Sequence, residues 1–103
     1  MAAPPFDVRV ERRDADAVVV VAGELDLATA DRFERAMSRA FELADAWSVD
    51  ARGLSFVDSS GVRAFLRAHA EAQRRGQRLA VRGLSGAPRS ALEHMDLLHL
   101  LEG

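Results

Sequence analysis

Asp58-Ser59-Ser60-Gly61 is the stretch of this chain whose residue types and spacing best suit chemistry. A carboxylate followed by two hydroxyls and a glycine suits a helix start. Asp58 would be the N-cap, with Ser59, Ser60 and Gly61 in the first turn. The backbone N–H groups of that turn have no partner inside the helix. A phosphate added to a serine there meets those donors and the positive end of the helix dipole, so the terminus can hold an anion without unfolding. Ser59 and Ser60 are expected to be at least partly exposed, because the apolar face begins only at Val62. A plainer role competes: most sequences of this kind only cap helices, and on these four residues alone that reading carries more weight.

Other groups offer less. The three histidines, at 69, 94 and 99, form no His-Glu-x-x-His pattern. His69 follows Ser60 by nine residues, about 13 Å along a helix, too far for a Ser–His pair. His94 and His99 could approach only through the tertiary fold. There is no Gly-x-Ser-x-Gly elbow. All 14 basic residues are arginine, which excludes a Walker-type phosphate loop and Schiff-base lysine chemistry. The lack of cysteine excludes thiol catalysis, disulfides and cysteine-based zinc sites. Asp14 and Asp16 make a loop charge cluster with too few converging oxygens for a metal. Arg63, Arg67, Arg74 and Arg78 form a basic ridge, with Glu71 four residues after Arg67 as an i,i+4 partner. A solvated face explains that ridge better than docking does. Trp47 reads as core or rim packing, and Ser85 and Ser90 as turn and helix-start residues.

The elements that must position Ser60 follow from periodicity. Phe6, Val8 and Val10 alternate with charged residues, a half-buried strand. Glu11 to Ala17 is turn-like, and the valine run 18–21 with Ala22 reads as a strand covered on both faces, paired with the first as a hairpin. Gly23 to Leu27 follows as a loop, with Thr29 as helix cap. Ala30, Phe33, Ala36, Met37, Ala40, Phe41 and Ala44 then mark one helical face. Trp47 to Ala51 is a short strand leading through Arg52–Val57 into Asp58. A second helix reaches about Arg75, with Val62, Phe65, Leu66 and Ala72 inward, and Gly76 ends it. Arg78 to Arg82 is another strand. Pro88 fits the first position of a third helix, to about Met95, and residues 97–101 suit a last strand. Strands alternating with helices predict an α/β fold: a small mixed sheet, mostly parallel after the hairpin. Ser60 then falls at the carboxyl edge of the sheet, where such folds place their sites.

The chain has 103 residues, net charge −2, 49% hydrophobic and 29% charged residues. That composition suits one globular domain. Residues 1–5 are expected to be a flexible arm. The charge balance gives no support to nucleic-acid binding. No apolar run is long enough for a membrane helix and no secretory signal is evident, so a cytoplasmic protein is expected.

Gly23-Glu24-Leu25-Asp26 after a valine strand, with Gly53-Leu54-Ser55-Phe56-Val57-Asp58-Ser59-Ser60-Gly61 downstream, resembles the STAS domain family, and most closely its stand-alone bacterial anti-sigma factor antagonists. The resemblance covers roughly residues 6–101. It implies a small α/β unit that is no enzyme and needs no cofactor. It implies a protein that binds an anti-sigma factor serine kinase and so frees a sigma factor for transcription. The kinase would phosphorylate the second serine of the motif, here Ser60, and switch the antagonist off; a serine phosphatase would reverse it. ATP and Mg²⁺ would belong to the kinase. Asp26, Asp58, Ser59 and Gly61 would belong to the partner surface. Many members carry a further C-terminal helix, which this chain is expected to lack, leaving Leu97, Leu98, Leu100 and Leu101 with less cover. Monomer and weak homodimer both stay open. The alternative is a STAS subunit of a stress-signalling scaffold or of a lipid-transport ATPase complex.

Overall fold

A computed structural model describes residues 6–95, the side chain of Arg78 excepted. The expected N-terminal arm, the expected strand over 97–101, His99 and the expectation about a further C-terminal helix all lie outside the described residues. The element order is β1 (Asp7–Arg13), β2 (Asp16–Leu25), α1 (Ala30–Leu43), β3 (Ala46–Val57), α2 (Ser59–Arg74), β4 (Arg78–Arg82) and α3 (Gly86–His94). The four strands form one sheet in the order β1-β2-β3-β4. β1 and β2 are antiparallel; β2–β3 and β3–β4 are parallel. This is the mixed, mostly parallel sheet that the alternation of strands and helices predicts.

One face of the sheet supplies most of the core. Ala17, Val19, Val21, Trp47, Val49, Ala51, Leu79 and Val81 are buried at every second position. Phe33, Ala36, Met37, Ala40 and Phe41 of α1 join them, with Val62, Ala64, Phe65, Ala68 and Ala72 of α2. Phe33 and Phe65 meet edge to face at 5.1 Å, and Phe41 meets Trp47 the same way at 4.1 Å. Both helical stripes match the 3.6-residue period, although Leu66 is only partly buried.

The other face corrects one expectation. Val20 and Ala22 are only half-buried. Their neighbours on β1 are the charged residues Arg9 and Asp7, so the valine run is not fully covered on both sides. Arg9 and Arg13 hold the Glu11 carboxylate, and the two guanidiniums keep it below the usual carboxylate range.

Several boundaries differ from expectation for identifiable reasons. The β1–β2 connection is only Asp14-Ala15, with Asp14 at φ 56, because charged residues 11–13 and 16 continue the ladder. Gly23 to Leu25 is strand, and β3 runs unbroken to Val57. The register slips twice: Val20 to Ala22 spans Asp50 to Gly53, and Gly23 to Glu24 spans Leu54 to Phe56. β3 therefore carries an extra residue at each place, two bulges that destroy its period-two signal. Gly23, at φ 94, meets the second bulge with a backbone that other residues rarely adopt. α3 begins two residues before Pro88, which sits in its first turn, where a missing N–H is harmless.

The end of α2 behaves as expected. Gly76 is left-handed at φ 66; its N–H donates to the Gln73 carbonyl and that of Gln77 to the Ala72 carbonyl. This is a Schellman ending. A Cβ at Gly76 would meet nothing within 4 Å, so Gly76→Ala tests backbone strain alone. We expect a loss of about 1 kcal/mol in urea unfolding, with the m-value unchanged.

Candidate functional site

Ser60 stands where β3 hands the chain to α2. Asp58 is extended (φ −104, ψ −172), and its Oδ1 accepts the Gly61 N–H at 3.0 Å. Asp58 is thus the N-cap and Ser60 the second residue of the helix, as the motif predicts. Ser59 is exposed and Ser60 half-buried, so the hydroxyl is not sealed. Among the described residues, no hydrogen bond engages the Ser59 or Ser60 amide. These donors, with the dipole behind them, can receive an anion. Replacing Asp58 by Ala should lower stability by about 1 kcal/mol, about 4–8 °C in Tm, whereas Asp58→Asn should be nearly neutral. Differential scanning calorimetry of both variants checks this.

The end of β2 abuts this turn. The Asp58 N–H donates to the Leu25 carbonyl at 3.2 Å. Gly61 is buried, and a Cβ placed on it would lie 2.6 Å from that same carbonyl oxygen. Gly61 accordingly presents no side chain to a visitor; its smallness lets α2 start directly on β2. The fold brings Gly23–Asp26 and Asp58–Gly61 side by side at the carboxyl end of the parallel strands.

Asp26 has a local role that the sequence reading missed. Its Oδ1 accepts the Ala28 N–H at 3.0 Å, and its own N–H donates to Thr29 Oγ1 at 3.0 Å. Thr29 Oγ1 in turn donates to the Glu24 carbonyl at 2.9 Å. Asp26 and Thr29 form a variant of the capping box ahead of α1, in which the Asp26 carboxylate accepts the Ala28 N–H and the Thr29 N–H donates to the Asp26 carbonyl. Thr29 therefore does not cap forward, as expected of it, but turns back onto Asp26. The Asp-x-x-Thr spacing was a readable signal; a capping box with Thr in place of Glu or Gln is easily overlooked. Asp26 and Glu24 remain half-buried at the same edge as Ser60.

The remaining candidates do not converge here. No histidine is hydrogen-bonded to Ser60 among the described residues; His69 lies on α2 with a buried, unpartnered Nδ1, and His94 ends α3. No cluster of potential metal ligands occurs among the described residues. In the arginine ridge, Arg67 reaches across to Glu34 of α1 at 2.8 Å, not to Glu71 as expected. Glu71 instead binds Arg74 and Arg75, whose charges lower its pKa. No helix among the described residues is long and apolar enough to cross a membrane.

A family model described as Mlab, STAS domain matches residues 8–102. The chain belongs to the STAS domain family. Among solved STAS-like structures, an anti-sigma factor antagonist from Mycobacterium paratuberculosis superposes with a TM-score of 0.85 at 23% identity, covering 98% of this chain and 87% of that one. SpoIIAA in its unphosphorylated form gives 0.78 at 23% identity, covering 92% of this chain and 85% of that one. The phosphorylated form of SpoIIAA, a Bacillus cell fate determinant, gives 0.71 at 22% identity, with coverages of 92% and 88%. At these identities the likeness establishes the STAS fold. No curated protein matches the chain significantly.

Proposed function

We propose that this STAS domain is an anti-sigma factor antagonist, a binding protein switched by phosphorylation of Ser60. The observation that carries the proposal is the position of Ser60: solvent-accessible, second in α2, with open backbone amides around it and the Gly23–Asp26 segment alongside. The likeness to SpoIIAA in both phosphorylation states supports it. Unmodified, the chain binds an anti-sigma factor serine kinase and releases the sigma factor. The kinase transfers the γ-phosphoryl group of its ATP to Ser60 Oγ, and the hydroxyl proton leaves to a base on the kinase. A serine phosphatase returns the hydroxyl. The antagonist is substrate in both steps and catalyst in neither, and the setting is the cytoplasm.

A second reading, a STAS subunit of a lipid-transport ATPase complex, draws support from the matching family model, which carries the Mlab name. Incubation with the candidate kinase and ATP, followed by mass-spectrometric mapping, separates the two. Phosphate on Ser60, absent from Ser60→Ala, supports the antagonist. An unmodified chain that co-purifies with transporter subunits supports the second reading.

A further inference from the structure

Four large apolar side chains are exposed among the described residues: Leu27 at 81%, Met95 at 51%, Phe56 at 43% and Leu43 at 42%. Two of them belong to the edge that carries Ser60. Phe56 lies opposite Glu24 one residue before β3 ends, and Leu27 follows the end of β2 by two residues. Leu27 sits inside the Asp26–Thr29 capping box, so this leucine is held outward on a pinned turn. An anchor ordered in advance loses little entropy on binding.

The charges around it point to the kind of partner. Glu24, Asp26 and Asp58 meet at this edge and take part in no ion pair among the described residues, as Asp14, Asp16, Asp31, Glu42 and Asp45 also do not; what distinguishes the three is that they surround Leu27 and Phe56. Three carboxylates without an ion pair therefore flank the two apolar side chains at this edge. A second copy of the chain would set the same carboxylates face to face in a two-fold contact. A basic surface would be attracted.

We infer that Leu27 and Phe56 are the apolar anchors by which the chain grips the protein that reads Ser60, and that this partner offers them apolar surface rimmed by arginine or lysine. The inference rests on the phosphoswitch reading of Ser60. It adds a division of labour: the two anchors set the affinity of the unmodified form, and the phosphate sets the difference between forms.

Titration calorimetry against the kinase that modifies Ser60 tests it. Leu27→Ala and Phe56→Ala should each weaken binding about tenfold or more, with Tm unchanged for Leu27→Ala and the fold of Phe56→Ala checked by circular dichroism. Leu43→Ala, at a leucine as exposed as Phe56, should bind as the parent does. Parent-like affinity of both anchor variants overturns the inference. A second arm needs no kinase: a photo-crosslinking residue at 27, 56 or 43 in the producing cell. Adducts from 27 and 56 to one identified protein, mapped to an apolar segment flanked by basic residues and absent from 43, support the anchors. No adduct, or adducts only between copies of this chain, overturns them. Such adducts without any phosphate on Ser60 would leave the anchors standing and remove the phosphoswitch.

Discussion

Phosphorylated at Ser60, the protein should bind its kinase partner at least about a hundredfold more weakly than the unmodified form. The phosphate adds a charge of about −1.5 to −2. In the free protein that charge is tolerated, because the open amides of Ser59 and Ser60 and the α2 dipole face it. Tm should therefore stay within a few degrees of the parent. The penalty arises in the complex. Glu24, Asp26 and Asp58 already make the edge acidic, so a dianion pressed into a desolvated interface there is held beside carboxylates of its own chain. Leaving a buried charge unpaired costs several kcal/mol, and each ~1.4 kcal/mol is tenfold in affinity. Ser60→Ala should bind like the unmodified form and never switch; Ser60→Asp should bind poorly. Titration calorimetry on protein with phosphoserine installed at 60 decides the matter. Equal affinities of the two forms would sink the proposed switch, whatever the fold.

The second large effect is on stability. Gly61→Ala should cost about 1–3 kcal/mol, the range for overpacking a tight core, and lower Tm by about 4–8 °C for each kcal/mol. The added Cβ would stand 2.6 Å from the Leu25 carbonyl oxygen and 2.9 Å from Leu25 Cγ and Val57 Cγ2. The nearest atom is backbone of β2, and its oxygen also accepts the Asp58 N–H, so it cannot yield without breaking the contact that ties α2 to the sheet. Gly76→Ala, with open space around its Cβ, is the comparison: it should lose less, through strain alone. A parent-like melting curve for Gly61→Ala would mean that α2 does not start this close to β2.

The motif's local geometry was legible because it depends on neighbours in the chain. Asp58 capping through Gly61, the inward stripe Phe33-Ala36-Met37-Ala40-Phe41 and the left-handed Gly76 all arise within one helical turn of the residues that cause them. β3 was only half legible. Trp47, Val49 and Ala51 alternate cleanly, but Arg52 and Gly53 interrupt, and only pairing with β2 reveals that the strand continues through two bulges. Thr29 was misassigned because a hydroxyl at a helix start can cap forward or reach back, and residue type alone does not choose.

From residue order alone come the alternation of strands and helices, the parallel sheet after a hairpin, the cap at Asp58 and the candidacy of Ser60. These depend on period, propensity and short-range hydrogen bonding. Tertiary structure alone decided that Leu25 and Gly61 touch, that Gly61 is buried while Ser59 is exposed, and that Asp26 is tied into its own turn. It also decided that Glu24, Asp26 and Asp58, brought together near Ser60, form no ion pair among the described residues. Burial and charge pairing are sums over residues from distant parts of the chain, and only packing brings those residues together.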